Sequence, residues 1–226
     1  ADDLGPIITD VSHSPERPAD NQDLIVTAKI TPSNGPVDEV TLHYRVMYGI
    51  EATIAMNDGG IGGDALAGDG IYTAAIPHAA SAAGEMVRYY VTTSDTVGNA
   101  SRAPLFEDQD GEDQSAQYFG TVVADPAVAS ALPTLEWFLA PGTQAAAETD
   151  AGTRASVYHL GEFYDNIFVR RRGDASSSAY PKANLKFKFN EGQDFLYRVE
   201  EDRVSEFNLN ATWSDKSYIR RVLSWD

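Results

Sequence analysis

The sequence predicts a mainly β protein built of two units, and three observations lead there. Short runs rich in β-branched and aromatic residues recur along the first 125 residues, each bounded by turn residues. In the clearest runs polarity alternates with period two, the pattern of a strand with one buried face. Charge is shared unequally: residues 1–125 hold 20 acidic and 5 basic side chains, net −15, whereas residues 126–226 hold 14 and 12, net −2. Halves so unlike predict two domains with different tasks. The expected division is 1–125 and 148–226, joined by an Ala-rich stretch with scattered Pro and Gly over 126–147.

The strand-like runs of the first unit lie at 7–11, 24–30, 39–46, 52–56, 71–76, 87–93 and 118–123. Leu24, Val26, Ala28 and Ile30 fall on one face of their run, and Val40, Leu42, Tyr44 and Val46 on one face of theirs. Short strands with turn signals between them predict an immunoglobulin- or fibronectin-like β-sandwich. Such an architecture serves as a spacer or as a binding module and by itself assigns no activity. Between the fourth and fifth runs, Asp58, Asp64 and Asp69 sit in a Gly-rich loop beside Asn57. One reading makes the loop a calcium site, because hard cations want many oxygens and glycines let backbone carbonyls supply some. The other makes it a long hairpin connection in which Asp and Gly provide the turns. The spacing is not that of an EF-hand. A second acidic run, 107–113, has Asp113 where an EF-hand needs glycine, and reads as a solvated loop. His13, His43, His78 and His159 have no metal-type spacing, and His43 lies on the face opposite the predicted core.

In the second half, 135–139 reads as a strand, and 156–160 with 163–172 as a hairpin around Gly161-Glu162. The run 184–190 alternates strictly, with Leu185, Phe187 and Phe189 on one face and Lys186 and Lys188 on the other. Arg170 and Arg172 also share a face. If these two strands pair in that sense, Arg170, Arg172, Lys186 and Lys188 converge on one surface. Facing like charges cost free energy unless something negative is present. A phosphate group meets that need. The alternative is neutralisation by Glu200, Glu201, Asp202 and their neighbours, or simple exposure to water. Residues 205–210 read as a further strand, and Ser214 or Asp215 as the cap of a helix from Lys216 that buries Ile219, Val222 and Leu223.

Composition excludes several classes. There is no cysteine, hence no disulfide scaffold, thiolate zinc site or cysteine nucleophile. A net charge of −17 argues against non-specific nucleic-acid binding and against docking on an anionic bilayer. The most apolar stretch, 127–147, is broken by Pro133, Glu136 and Pro141, so no membrane span is expected.

The succession Phe168-Val169-Arg170-Arg171-Arg172-Gly173, then Ser176-Ser177, Pro181-Lys182 and Leu185-Lys186-Phe187-Lys188-Phe189-Asn190, resembles the start of the CotH (spore-coat protein H) kinase-like family. Asn208-Leu209-Asn210-Ala211 and Ser214-Asp215-Lys216-Ser217-Tyr218-Ile219-Arg220 resemble the family's next strand and helix, with Phe207 where an aliphatic residue is usual. Asp58, Asp64 and Gly68-Asp69-Gly70-Ile71-Tyr72 are similar to modules that precede such domains in exported bacterial proteins. The resemblance implies a partial α+β kinase-like lobe after the sandwich, in a secreted or cell-surface protein that binds ATP and magnesium and phosphorylates a protein substrate. It implies phosphate contacts for Lys186 or Lys188, with Arg170 and Arg172. The family's catalytic and metal-binding aspartates are expected beyond Asp226, so the chain is expected to be an N-terminal fragment, inactive alone, with no catalytic residue of its own. The alternative expectation is a non-enzymatic extracellular module for adhesion or carbohydrate binding, stabilised by calcium.

Overall fold

A computed structural model describes residues 4–106, 115–128, 130–173 and 183–210. The acidic run 107–113, the pairs Ser176-Ser177 and Pro181-Lys182, and the helix expected from Lys216 lie outside the described residues.

The protein is mainly β. The first part carries β1 (Ile7–Ser14), β2 (Leu24–Thr31), β3 (Val37–Val46), β4 (Ala52–Ala55), β5 (Ile71–Ile76), β6 (Met86–Asp95), β7 (Ala100–Ala103) and β8 (Phe119–Val122). They form two antiparallel sheets, one in the order β1-β2-β5 and one in the order β4-β3-β6-β7, with β8 also on β6. The sheets close on a shared core. Leu24, Val26, Ala28 and Ile30 of β2 meet Val40 and Leu42 of β3 and Val87, Tyr89 and Val91 of β6. Tyr44 and Val46 pack at its edge. Alternation produces this directly, because every second side chain of a pleated strand points to the same face. Full burial of each such Val or Leu contributes about 1.5–3 kcal/mol.

The strand β7 has no counterpart among the runs expected from sequence. Ala100-Ser101-Arg102-Ala103 carries no β-branched or aromatic residue, so its composition gives no strand signal. Position creates it. Asp95 accepts hydrogen bonds from the amide N–H of Val97 and Asn99 at 3.0 and 2.9 Å, and this tight turn returns the chain alongside β6. There β7 pairs with Val91–Ser94 and β8 with Met86–Tyr89, so the two share one edge of β6.

The second part carries β9 (Glu136–Leu139), a single helical turn α1 (Gln144–Ala147), β10 (Thr153–His159), β11 (Glu162–Arg172), β12 (Asn184–Lys188) and β13 (Glu206–Leu209). The strands form one antiparallel sheet in the order β13-β12-β11-β10-β9. The strand expected over 135–139 is the edge strand β9, and the same stretch 126–147 also carries the turn α1. One face is an apolar core in which Val157, Ile167, Val169, Leu185, Phe187 and Phe189 are buried. Phe187 lies edge-on to Trp137 and stacked on Phe207, with ring centroids 5.4 and 4.7 Å away. A bulge in β11 keeps this face continuous. Ala155 pairs with Ile167 but Val157 with Tyr164, so Asp165 and Asn166 together oppose Ser156. Tyr164 and Ile167 consequently enter the same core, and Asp165 turns to the opposite face.

That opposite face divides in two. Near β9 and β10 it packs on the sandwich, where Met86, Val122 and Tyr158 are buried among Met47, Tyr48, Phe138 and Phe163. Tyr48 donates a hydrogen bond to the Phe138 carbonyl at 2.9 Å, and Arg17 pairs with Glu136 at 2.7 Å. Beyond this seam, along β11 and β12, the face is basic.

Candidate functional site

The register of β11 and β12 builds the basic face. Arg170 lies directly opposite Lys186, and Phe168 opposite Lys188. Since β12 alternates, Leu185 and Phe187 go into the core while Lys186 and Lys188 point away from it. The pairing sense on which convergence depended is therefore the one observed. A cavity of about 320 Å³ sits over these residues, lined by Phe168, Arg170, Lys186, Lys188 and Glu206. Arg154 of β10, paired with Phe168, extends the surface, its guanidinium 5.7 Å from the Phe168 ring centroid.

Neutralisation is partial, and it comes from a neighbour of the three acids named from sequence. Glu206 on β13 pairs with Lys186 at 2.7 Å. Arg172 lies outside the cavity lining and donates to Asn210 Oδ1 at 3.4 Å. Glu200, Glu201 and Asp202 do not line the cavity. The side chains of Arg170 and Lys188 make no hydrogen bond or ion pair among the described residues. Among the described residues the lining holds three cations and one carboxylate, a net +2.

Gly152 makes the close approach of β10 to this face possible. A Cβ there would lie 2.6 Å from Phe168 Cζ and 2.9 Å from Arg170 Cβ, and its φ of +69° suits glycine.

The acidic loop is a second, separate arrangement. Each of Asp58, Asp64 and Asp69 places a carboxylate oxygen within 4.8 Å of the others, and Asp64 is buried. The same carboxylates also organise the loop. Asp58 Oδ1 accepts from the N–H of Gly68 at 2.7 Å and Asp69 at 3.2 Å, and its Oδ2 from Gly70 at 3.0 Å. Asp64 accepts from Gly60 at 2.5 Å, and Asp69 from Ile71 at 2.9 Å. The turn reading is thus realised in the hydrogen bonds. An ionised carboxylate has roughly four acceptor directions, so the oxygens retain capacity for a cation.

Several organised polar residues carry no sequence signal of their role. Asp165 is buried at the seam, where it accepts from Ser156 Oγ at 2.7 Å and from the N–H of Gln117 and Tyr118 at 3.2 and 3.1 Å. Burial pushes its carboxyl up, and Arg88, 3.6 Å away, opposes that shift. On the far side of the second unit, Arg203 grips Glu162 through both oxygens at 2.7 and 2.6 Å, and Tyr164 also donates to Glu162. Arg203 holds the Glu162 carboxyl below its usual range. His43 is on the face away from the core, stacked on Tyr90 with centroids 4.4 Å apart and 2.9 Å from Thr92 Oγ1.

No helix among the described residues is long and apolar enough to cross a membrane. Residues 169–226 match the family model described as CotH kinase protein. No curated protein matches the chain. The matched segment begins within β11 and includes all of β12 and β13, so it takes in Arg170, Lys186, Lys188 and Glu206.

Proposed function

We propose that this CotH-like chain supplies the phosphate-binding face of an ATP-dependent protein kinase that works outside the cell. The observation that carries this is the pairing of Arg170 with Lys186 beneath a cavity of net charge +2. Phosphoryl transfer is catalysed largely by positioning and by charge stabilisation, which cations fixed on a rigid sheet provide. Arg170 and Lys188 meet the phosphate oxygens, and Glu206 holds Lys186 in place through its 2.7 Å ion pair. Magnesium is not caged by these residues. Among the described residues Glu206 is the one carboxylate lining the cavity and is engaged by Lys186, so the nucleotide's own phosphates would hold the metal. No general base is assigned, and the substrate is a protein hydroxyl only by analogy with the family.

Thermal unfolding with Mg²⁺-ATP tests the reading, because a ligand that binds the native state raises the midpoint by mass action. The midpoint rises for the wild type and not for the Arg170→Ala/Lys188→Ala variant. An equal rise in both overturns the assignment.

A second reading concerns the first unit, as a calcium-stabilised extracellular module for adhesion or carbohydrate binding. The three carboxylates within 4.8 Å of one another favour it. The two readings concern different parts of the chain and are compatible.

A further inference from the structure

The sandwich carries a polar sheet face of its own. Leu42 and Val91 are in the core, so the period of two turns Thr41 and His43 of β3 outward together with Tyr90, Thr92 and Ser94 of β6. The register sets His43 opposite Tyr90 and Thr41 opposite Thr92, and toward the seam Arg45 opposite Arg88. His43 and Thr92 are thus diagonal neighbours, a separation that a ring side chain spans. The His43 ring lies flat on Tyr90, centroids 4.4 Å apart, which fixes its orientation. Thr92 and His43 open into a cavity of about 370 Å³ that Thr53 of β4 and Ser94 also line.

Four side chains form a hydrogen-bonded row on this face. Thr92 Oγ1 lies 2.9 Å from His43 Nε2, and His43 Nδ1 lies 3.4 Å from Glu51 Oε1. The Tyr90 hydroxyl donates to the same Glu51 oxygen at 3.0 Å. Burial and this hydrogen bond push the Tyr90 hydroxyl up to about 12, so it keeps its proton at neutral pH. Glu51, as a carboxylate, only accepts. The proton of a neutral His43 imidazole therefore belongs on Nδ1, facing Glu51. Nε2 is left with its lone pair, and the Thr92 hydroxyl donates to it. This is the polarity of a nucleophile, its base and the group that orients the base. The His43 side chain is 20% exposed, so a molecule in the cavity can reach it.

We propose that Thr92 is a nucleophile that takes the acyl group of a small carboxylic ester, with His43 as its general base. Thr92 Oγ1 bonds to the carbonyl carbon while its proton passes to His43 Nε2. The tetrahedral intermediate then breaks the ester C–O bond, and the departing alcohol takes that proton from His43. The acyl group remains on Thr92 as an ester. Water, giving a proton to the same imidazole, attacks this ester; the acid leaves, and Thr92 Oγ1 takes the proton back. Glu51 is a positioning residue that holds the tautomer. The hydroxyls of Thr53 and Ser94, in the same cavity, offer donors to the oxygen on which charge develops. The site lies in the first unit and stands independently of the ATP and calcium readings.

The test treats the whole chain with p-nitrophenyl acetate. It follows nitrophenolate release and the mass of the acid-quenched protein, and maps the acetylated peptide. It is run on the wild type, Thr92→Ser, Thr92→Val and His43→Gln. Both positions lie on the outward face, and urea unfolding midpoints read alongside separate a lost hydroxyl from a lost fold. In the wild type an acetyl group is found on Thr92. Thr92→Ser keeps the adduct, Thr92→Val removes it, and His43→Gln forms it about a hundredfold more slowly. Absence of acetyl from Thr92 in the wild type overturns the proposal, whatever the variants do. Acetylation of Thr92 in folded His43→Gln at the wild-type rate also overturns it, since the imidazole would then have no part in the step.

Discussion

Replacing Asp165 by Asn removes the carboxylate that holds the seam while keeping the shape of the side chain. Asp165 is 2% exposed, and its partner Arg88 is 5% exposed. Breaking one member of a buried ion pair costs about 3–5 kcal/mol, because the other charge is left uncompensated. The rings of Tyr48 and Tyr118, 4.4 and 4.7 Å from the Arg88 guanidinium, share part of its charge, so the low end applies, about 3 kcal/mol. For a chain of this size that is a fall in Tm of roughly 6–12 °C. Urea unfolding reads the loss as a shifted midpoint at constant slope. Arg88→Met and the double variant complete a cycle. The double variant is less destabilised than the sum of the singles by at least about 1 kcal/mol, since no stranded charge remains. A loss below about 1 kcal/mol for Asp165→Asn, or strict additivity across the cycle, would refute the claim that this pair holds the two units together.

The remaining predictions address the two cores and the loop. Burial holds the His13 imidazole below its usual 6.5, with Nδ1 2.8 Å from the Tyr89 hydroxyl. The unfolded chain takes up this proton more readily than the native one. Stability from His13 is therefore complete above pH 6.5 and declines as pH falls below it. The wild-type Tm drops more than that of His13→Asn between pH 7.5 and 5, and parallel curves would contradict the assignment. Phe187→Ala, at a fully buried position between Trp137 and Phe207, costs about 3–5 kcal/mol in urea unfolding; a cost under about 1 kcal/mol would mean that the second core is not organised around this ring. Calcium raises the Tm of the wild type relative to EDTA and leaves Asp64→Asn unmoved; no calcium response in the wild type leaves the loop as a turn alone.

Alternation was the legible part of the fold. It places Leu24, Val26, Ala28 and Ile30 in one core and Phe187 and Phe189 in another, because a strand's period of two is written directly in its residues. The basic face was legible on the same ground, with one condition, the pairing of β11 with β12, that a single strand cannot state. Which acid of the following segment neutralises it was left open. Glu200, Glu201 and Asp202 are close in sequence, but Glu206 sits on the adjacent strand and so reaches Lys186. Long-range partnership decides the seam as well. Arg45, Arg88 and Asp165 each look like ordinary strand residues, and only the β3–β6 register and the β11 bulge bring them together. The strand β7 escaped for the opposite reason, since tertiary position supplies what Ala-Ser-Arg-Ala lacks in propensity.

The central claim is that the β11–β12 face holds the phosphates of ATP. Calorimetric titration of Mg²⁺-ATP into the wild type and into Arg170→Ala/Lys188→Ala tests it most directly, because of the three cations lining the cavity these two are the ones whose side chains have no hydrogen-bond or ion-pair partner among the described residues. The account predicts saturable binding to the wild type and a loss of about tenfold or more in affinity for the variant, the equivalent of losing one or more charge-assisted contacts. Absence of binding to the wild type, or equal affinity in both proteins, would contradict it.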